Sequence, residues 1–496
     1  MSGRVISIDA RTGKERREIG VETSAEQVGE ICARAAGAFR VLRDLGREER
    51  ARLLEAAAAE LEAVGKELIA AADAETALGE GRLTGELART CFQFRFFAEV
   101  IRDGGYLDVA IDHADPAAPP APRPELRRMM VPIGPVAVFG ASNFPLAFSV
   151  PGGDTASALA AGCPVVVKAH PAHPETSEIA AAALRRVLPE DALTLVHGYD
   201  AGIALVRDPH IRAVGFTGSE RGGRALFDLA VSRPDPIPFY GELGSVNPLV
   251  VTPAAARQRG EEIGTGTADS LTLGVGQFCT KPGLIFVPRG EHGDGVVDAL
   301  VRRVKEIAPG ILLTEGIRDA YAAGTRRARQ EAATLYAGEA AAPACGTTLV
   351  RVGTQEVIDG KAPLEEVFGP FAVVVDYDGE DDLLAALAAL RPALVATVHA
   401  EEAEAELATR LLDLLTERVG RIVWNGYPTG VAVAWAMTHG GPYPATTAPG
   451  HTSVGASAIR RWLRPVTYQS VPQSLLPISL RDTSPMPRRL DGRPIL

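Results

Sequence analysis

The stretch Val136-Ala137-Val138-Phe139-Gly140-Ala141-Ser142-Asn143 is a short apolar run that ends in a polar turn, and the same pattern recurs downstream. We expect strands at 136–139, 165–167, 193–196, 213–216 and 238–240, and helices at 151–162, 176–188, 200–207 and 219–232. Such alternation predicts a parallel sheet covered by helices, which is a usual frame for a nucleotide site.

A second alternating set follows Glu242 and predicts a second α/β domain. Its strands are expected near 248–252, 284–288, 371–377, 393–398 and 421–424, and its helices near 254–273, 294–307, 317–333, 380–390 and 401–417. Residues 24–100 carry apolar side chains at helical spacing and predict a set of helices. Residues 113–124 hold five prolines and predict an extended connector.

Composition places the chain among globular proteins of two or three domains: it has 496 residues, of which 46% are hydrophobic and 23% charged. A net charge of −11 disfavours nucleic acid or an anionic membrane surface as the main partner. The five cysteines are widely spaced without a CxxC pair, which favours free thiols in a reducing compartment and no metal site. The first residues lack the apolar core of a signal peptide, so we expect a cytoplasmic protein.

Two candidate catalytic residues stand among glycines, where the backbone can approach a ligand closely. Cys279 lies in Gly276-Gln277-Phe278-Cys279-Thr280-Lys281-Pro282-Gly283, and Glu242 lies in Gly241-Glu242-Leu243-Gly244-Ser245. A thiol nucleophile and a carboxylate base are the groups needed to form and hydrolyse a thioester. The residues alone leave two readings open for each: Cys279 as nucleophile or inert thiol, and Glu242 as base or solvated strand-end carboxylate.

Weaker signals surround this pair. Asn143 follows a predicted strand and is either a turn residue or an amide donor to an oxyanion. Lys168 ends Val165-Val166-Val167-Lys168, where ligands bind in parallel sheets, although a lysine extending to the surface fits equally. Gly218, Ser219 and Gly223 form a strand–turn–helix junction that favours a phosphate, but an ordinary helix cap by Ser219 has the same sequence.

The remaining polar motifs are less specific. Glu365-Glu366-Val367-Phe368-Gly369-Pro370 places carboxylates beside an aromatic residue, as a solvated loop also does. His170 and His173 lie three residues apart, but prolines interrupt them and no third ligand is evident, so we expect loop or surface histidines and no metal centre.

Taken in order, six segments closely resemble the aldehyde dehydrogenase superfamily over nearly the whole chain. They are Ser142-Asn143-Phe144-Pro145, Val167-Lys168, Phe216-Thr217-Gly218-Ser219, Glu242-Leu243-Gly244, Gly276-Gln277-Phe278-Cys279 and Glu366-Val367-Phe368-Gly369-Pro370. Four further blocks resemble the NADP-preferring branch that includes 2-oxoglutarate semialdehyde (2,5-dioxopentanoate) dehydrogenases and a bacterial fatty aldehyde dehydrogenase. They are Lys168-Ala169-His170-Pro171-Ala172-His173-Pro174, Phe278-Cys279-Thr280-Lys281-Pro282-Gly283, Gly440-Gly441-Pro442-Tyr443-Pro444-Ala445-Thr446-Thr447 and Ile459-Arg460-Arg461-Trp462-Leu463-Arg464-Pro465-Val466.

The resemblance implies specific roles. Cys279 would attack the aldehyde, Asn143 and the Cys279 amide would hold the oxyanion, and Glu242 would activate water. Lys168 would bind the adenosine ribose and Glu366 the nicotinamide ribose. Gly218, Ser219 and Gly223 would lie by the pyrophosphate, and Phe368 near the nicotinamide. Candidates for the substrate wall are Phe148, Phe278 and Pro444.

Two departures from the family pattern bear on the cofactor and the base. NAD-specific members usually carry a glutamate where this chain has Pro171, and losing that charge favours NADP, with NAD also possible. Arg207 is the candidate for the 2′-phosphate partner. The usual Glu-Leu-Gly-Gly-Lys is Glu242-Leu243-Gly244-Ser245-Val246 here, which retains the base.

The resemblance implies two parallel-sheet α/β domains and a bridging oligomerisation arm. The expected divisions are 1–112 and 132–241 for cofactor binding, 242–450 for catalysis, and 113–131 and 451–496 for bridging in a homodimer or homotetramer. The expected substrate is a small aldehyde, 2,5-dioxopentanoate. The alternatives are a broad or medium/long-chain aldehyde dehydrogenase, a catalytically silent structural relative, or a cysteine hydrolase of esters or thioesters without redox chemistry.

Overall fold

The computed structural model describes residues 3–495 and divides them among helices and three larger sheets. The α-helices are α1 (Ala25–Asp44), α2 (Arg47–Ala63), α3 (Gly65–Thr76), α4 (Glu80–Asp103), α5 (Gly153–Ala161), α6 (Pro174–Arg185), α7 (Tyr199–Arg207), α8 (Glu220–Val231), α9 (Pro253–Thr272), α10 (Glu291–Glu306), α11 (Glu315–Glu331), α12 (Thr354–Ile358), α13 (Glu380–Ala389) and α14 (Ala405–Thr416). The strands are β1 (Arg4–Ile8), β2 (Glu15–Val21), β3 (Val109–Asp112), β4 (Leu126–Pro132), β5 (Val136–Phe139), β6 (Val165–Lys168), β7 (Leu193–Val196), β8 (Ala213–Thr217), β9 (Phe239–Glu242), β10 (Asn247–Val251), β11 (Pro282–Pro288), β12 (Gly310–Ile311), β13 (Ala333–Ala337), β14 (Ala344–Cys345), β15 (Thr348–Gly353), β16 (Phe371–Tyr377), β17 (Ala393–His399), β18 (Val419–Trp424), β19 (Leu463–Gln469), β20 (Arg488–Leu490) and β21 (Arg493–Ile495).

The first sheet has the parallel strand order β7-β6-β5-β8-β9. Strands β5 and β6 are buried along their whole length, as expected for strands covered by helices on both faces. The order reverses between β5 and its neighbours β6 and β8, and ligands bind at the carboxyl ends of strands at such a switch point. Asn143, Lys168 and Gly218 all lie at or just beyond those ends.

The second sheet has the order β13-β15-β16-β11-β10-β17-β18, and only the β13–β15 pairing is antiparallel. Its two faces bury separate apolar clusters, one including Phe286 and Tyr377 and the other including Leu249 and Ile285. The α/β fold class with two parallel-sheet units predicted from the sequence is therefore confirmed.

A third sheet joins distant parts of the chain in the order β19-β4-β3-β20-β21. Strand β19, near the carboxyl end, pairs antiparallel with β4 over seven residue pairs from Leu463–Pro132 to Gln469–Leu126. The segments expected to bridge thus meet in one sheet, although the strand pairing also includes 109–112, which were assigned to the cofactor-binding region. The domain boundaries themselves stay a prediction.

The sequence pattern located most buried elements and missed several others. The ten predicted strands and nine predicted helices of the two alternating sets correspond to observed elements, with ends shifted by a few residues. Strands β13 and β15 were not predicted, nor was the hairpin of β1 and β2, whose residues are mostly exposed or half-buried and so form no apolar run. Within residues 3–495, no helix combines the length and apolarity that a membrane crossing requires.

Candidate active site

A cavity of about 980 Å³ connects the two α/β units. It begins at the turn between β1 and β2, passes the carboxyl ends of the first sheet, and ends at Cys279. Seven of the predicted catalytic and cofactor-binding residues line it: Asn143, Gly218, Ser219, Glu242, Cys279, Glu366 and Phe368. Residues separated by more than 200 positions therefore meet in one enclosed space.

Cys279 is held by a tight turn that only glycine permits. Gly276 has a φ of +66°, and a Cβ on it would lie 2.5 Å from the backbone of Gly369. Behind the nucleophile, Asn247 Nδ2 donates to the carbonyl of Cys279 at 2.8 Å. The thiol is half-buried, and burial together with the nearby Glu242 carboxylate raises its pKa well above the usual range. The resting thiol is therefore protonated at neutral pH.

Glu242 ends β9 and is 4% exposed. Its Oε1 lies 2.8 Å from His439 Nε2, and its Oε2 accepts a hydrogen bond from Ser453 Oγ at 2.6 Å. Burial by itself raises the pKa of this carboxyl, but the His439 and Ser453 contacts outweigh it and bring the pKa below its usual value. Glu242 is thus an ionised, oriented carboxylate in a site shielded from solvent.

His439 contacts both Cys279 and Glu242. It is 1% exposed, and its Nε2 lies 3.6 Å from Cys279 Sγ as well as 2.8 Å from Glu242. An ionised carboxylate only accepts, so Nε2 carries a hydrogen and donates it to Glu242. Sequence reasoning missed His439 and Ser453, because both are single residues, 160 or more positions from their partners, with no motif spacing to mark them.

Asn143 is fixed by its own amide. It is buried, and its Nδ2 donates one hydrogen to the carbonyl of Gln277 at 2.9 Å. Arg82 donates to the backbone carbonyl of Asn143 at 2.6 Å. Because the Gln277 carbonyl can only accept, the side-chain nitrogen of Asn143 faces it, and the second N–H is left for a ligand beside Cys279.

At the far end of the cavity, Lys168 is buried, and its pKa falls to about 8 because burial disfavours the ammonium form. Its Nζ lies 5.1 Å from the ring centre of Tyr199, which lines the cavity with Pro171. The alternative of a lysine extending to the surface is therefore wrong, since only 8% of Lys168 is exposed.

The glycine turn after β8 combines a helix cap with close packing. Ser219 caps α8 by accepting from Gly222 N at 3.3 Å, and Gly218 N donates to the Glu242 carbonyl at 3.1 Å. A Cβ on Gly223 would collide with Leu243 and Phe216, so this glycine is needed for packing of α8. Gly218 and Ser219 line the cavity, and Gly223 lies one turn behind them.

Glu366 approaches the cavity because Gly244 has no side chain, since a Cβ there would collide with the Glu366 carboxylate. Burial raises the pKa of Glu366, and Lys281 opposes that rise. A carboxylate opposite a glycine turn and a free helix start has the donor and acceptor types that two ribose hydroxyls and a pyrophosphate require. The residues present therefore fit a dinucleotide.

Some predicted residues lie elsewhere. Arg207 ends α7, whereas the cavity touches Tyr199 at the start of that helix, roughly 12 Å away at the α-helical rise. Phe148 lines the cavity; Phe278 lies behind it, with its ring 5.1 Å from that of Phe144, and Pro444 is outside.

The structure also locates the histidines and cysteines that the sequence had not assigned to a catalytic or cofactor site. His170 and His173 both lie in the loop between β6 and α6, so the expected loop position is confirmed, although neither is at the surface. His170 is half-buried and lines the cavity, and His173 is buried with its Nε2 2.9 Å from the Ala141 carbonyl. All five cysteines are free. Glu242, Cys279 and His439 offer ligand atoms within 4.8 Å of one another. Carboxylate, thiolate and imidazole groups can also bind a metal ion, whereas the sequence predicted no metal centre.

The segment Gly440–Thr447 packs directly behind the base. Leu243 N donates to the Ala445 carbonyl at 2.8 Å, and Thr447 N donates to the Gly241 carbonyl at 3.0 Å. The late block that resembled one branch in the sequence thus supports the strand end that carries Glu242, and His439 immediately precedes it.

Comparison with protein families matches residues 3–443 to the aldehyde dehydrogenase family. Among curated proteins, the chain is 48% identical to alpha-ketoglutaric semialdehyde dehydrogenase 2 of Azospirillum brasilense, covering 96% of this chain and 93% of that one. It is 42% identical to alpha-ketoglutaric semialdehyde dehydrogenase of Acinetobacter baylyi, covering 94% and 90%.

Solved structures share the fold at low identity. A variant of 1-pyrroline-5-carboxylate dehydrogenase from Thermus thermophilus aligns with a TM-score of 0.81 at 19% identity, covering 94% of this chain and 90% of that one. Aldehyde dehydrogenase 21 from Physcomitrella patens, in complex with succinate, aligns with a TM-score of 0.80 at 18% identity, covering 94% and 95%. An NADP-dependent enzyme of E. coli aligns with a TM-score of 0.81 at 20% identity, covering 94% of both chains.

Proposed function

The chain belongs to the aldehyde dehydrogenase family and is an NAD(P)-dependent aldehyde dehydrogenase, and from that premise we propose that it oxidises 2,5-dioxopentanoate (2-oxoglutarate semialdehyde) to 2-oxoglutarate. The observation that carries the substrate is the 48% and 42% identity, over nearly the full length, to two proteins named for that semialdehyde. The observation that carries the chemistry is the contact of Cys279, His439 and Glu242 at the end of the cavity.

In the first step, Cys279 Sγ forms a bond to the aldehyde carbon. The thiol proton passes to Glu242, whose carboxylate is ionised and whose oxygen lies within 4.8 Å of the sulfur. The carbonyl oxygen becomes an oxyanion, and we assign its donors as the free N–H of Asn143 and the backbone N–H of Cys279. A bound nicotinamide cofactor would supply the acceptor for the hydride that leaves the carbon attached to sulfur, and Cys279 then holds the acyl group as a thioester.

Before the second step, Glu242 releases the thiol proton to solvent through the cavity. It then takes a proton from water as the water oxygen attacks the thioester carbon. The carbon–sulfur bond breaks, the sulfur takes that proton from Glu242, and the carboxylic acid leaves with the Cys279 thiol restored. His439 and Ser453 keep the base ionised and aimed, because each donates to one of its oxygens. Burial of the pair excludes bulk water except through the cavity, which limits unproductive proton exchange.

For the cofactor, we propose a preference for NADP. Pro171 lies on the cavity wall near Tyr199, and a proline has no carboxylate to repel a 2′-phosphate. Comparing kcat/KM for NADP and NAD tests this, and Pro171→Glu should lower the NADP value selectively by adding a negative charge. Faster turnover with NAD in the unaltered protein would contradict the preference.

A panel of aldehydes tests the substrate. We expect the highest kcat/KM for 2,5-dioxopentanoate, lower values for shorter semialdehydes, and the lowest for neutral chains such as butanal and decanal. Preference for decanal would instead indicate a long-chain aldehyde dehydrogenase of the same branch. We also propose a cytoplasmic homo-oligomer that associates through the third sheet, whose edge strands β19 and β21 are open to pairing; light scattering after size exclusion measures its mass.

A further inference from the structure

A semialdehyde of a dicarboxylic acid needs a partner for its distal carboxylate, and the sequence motifs provide none. Four residues near Cys279 on the side of α4 are charged and at least partly buried: Arg82, Glu86, Arg89 and Arg421. Among these four, only Arg89 has two buried side-chain atoms without a partner, its Nε and its Nη2.

The geometry points to Arg89 as the residue that binds the distal carboxylate of the substrate, an inference that rests on the function proposed above. Nε–H and Nη2–H lie on one edge of the guanidinium, and two parallel N–H bonds from such an edge match a carboxylate. The opposite side is already used, because Nη1 donates to the carbonyl of Val431. Arg89 is thus anchored through one nitrogen and leaves a complete two-donor edge for a ligand.

Two independent series of contacts connect the Arg89 guanidinium, which lies just behind the residues that line the cavity, to Cys279. Along the first, the Arg89 Cζ lies 5.6 Å from the ring centre of Phe148, whose ring centre is 6.4 Å from that of His439, and His439 contacts Cys279 Sγ. Phe148 itself lines the cavity. Along the second, Gly430, the neighbour of Val431, donates to Thr280 Oγ1 at 3.2 Å, and Thr280 adjoins Cys279.

Charge supports the same assignment. Burial is the main influence on Arg89 and lowers its pKa, while Glu86, Cys279 and Glu242 oppose that shift. Glu86 does not pair directly with Arg89: its Oε1 accepts from the backbone of Leu146 and Ala147. A buried guanidinium with an open edge is costly, and the carboxylate of a bound substrate would satisfy it.

The neighbouring arginines are less suited to the role. Arg82 stacks on Phe144 and Phe278 and donates to Asn143, so it supports the oxyanion side. Arg421 donates through both terminal nitrogens to the carbonyls of Gly430 and Pro428. Each has only one buried nitrogen without a partner, whereas a carboxylate is bound best by two.

The test compares Arg89→Met with Arg89→Lys on 2,5-dioxopentanoate and on butanal, which has no distal carboxylate. We expect Arg89→Met to lower kcat/KM for the semialdehyde about 100-fold, mostly through KM, and to change that for butanal by less than about threefold. Arg89→Lys should recover part of the loss, because it restores the charge without the two-donor edge. Equal losses on both aldehydes would overturn the assignment.

Arg95→Met is the matched control, since Arg95 lies on the same helix and forms an exposed ion pair with Glu62. It should leave both substrates unchanged. If Arg89→Met does not fold, inhibition of the unaltered enzyme provides the test. Glutarate should inhibit butanal oxidation competitively, and glutaramide should not. Arg89→Lys should weaken the inhibition by glutarate. Equal inhibition by both compounds would refute the carboxylate anchor.

The two proposals fail differently. An unaltered enzyme that oxidises butanal better than 2,5-dioxopentanoate, without inhibition by glutarate, overturns the proposed substrate and the role of Arg89 together. An unaltered enzyme that prefers the semialdehyde, with Arg89→Met losing both substrates equally, overturns the role of Arg89 alone.

Discussion

Replacing Glu242 by glutamine removes the base while keeping the volume of a side chain that is 4% exposed. The amide oxygen can still accept one of the two hydrogen bonds, from His439 or Ser453, but the NH₂ group cannot accept the other. A positioned general base contributes roughly 10²- to 10⁴-fold. The expected loss in steady-state kcat is therefore of that size, about 3–5 kcal/mol of barrier.

The location of the loss identifies the step. Both steps use Glu242, but its loss affects them differently. Without the carboxylate, the Cys279 thiol ionises more easily and solution base can remove its proton, whereas hydrolysis of the buried thioester still needs an activated water. Rapid mixing with NADP and 2,5-dioxopentanoate should give a burst of reduced cofactor near one equivalent per site, followed by a slow phase. Mass spectrometry of the quenched protein should find the acyl group on the peptide that contains Cys279.

Ser453→Ala is the control, because it removes one hydrogen bond to the carboxylate but keeps the charge. Its kcat should fall about tenfold, which is the lower end for a bond to a charged group. A Glu242→Gln protein that turns over within fivefold of the unaltered enzyme, with no acylated Cys279, would refute the assignment of Glu242 as the hydrolytic base.

Three further outcomes are expected. Because burial and the Glu242 carboxylate raise the pKa of Cys279, iodoacetamide should alkylate the resting thiol slowly at pH 7 and faster as the pH rises. Glu242→Gln removes the negative charge, so alkylation at pH 8 should accelerate. An unchanged alkylation rate would contradict this account. His439→Leu leaves Glu242 buried without its strongest partner, which raises the pKa of that carboxyl. The acid limb of the kcat–pH profile should therefore move to higher pH. His439→Gln retains a donor and should move the acid limb less, and equal movement in both variants would argue against the hydrogen bond as the cause. Arg461 donates to Asp154 at 2.6 Å, and the two side chains are 3% and 14% exposed, so Arg461→Met leaves the Asp154 carboxylate buried without its partner. Denaturant unfolding should show a loss of about 3 kcal/mol in stability. Arg460→Met, at the exposed neighbouring position, should have little effect, and similar losses in both variants would contradict the pairing.

The parallel sheets could be read from the sequence because their signal is local. Val165–Lys168 and Phe371–Tyr377 are buried on both faces, so each appears as an unbroken apolar run bounded by turns. Strands β2 and β19 carry mainly exposed or half-buried residues and give no such run, and β19 finds its partner β4 more than 300 positions away. Pairing between distant segments leaves no periodicity in either one.

The candidate site also contains residues that a local motif marks and residues that only tertiary contacts identify. Cys279, Glu242, Asn143 and Glu366 could be named from the sequence, because each lies in a glycine-containing motif whose order along the chain resembles a known family. His439 and Arg89 could not be named. A lone histidine and one arginine among many on a helix carry no local mark, and only the packed chain shows that His439 touches both Cys279 and Glu242.

By itself, then, the sequence predicted the α/β class and, through the order of its motifs, the aldehyde chemistry, with Cys279 and Glu242 as the expected nucleophile and base. The tertiary structure alone decided which partners set their protonation and which guanidinium was left with an open edge. The physical reason is that backbone preference and hydrophobic period act over a few residues, whereas desolvation and hydrogen bonding depend on which atoms finally lie within about 3 Å of one another.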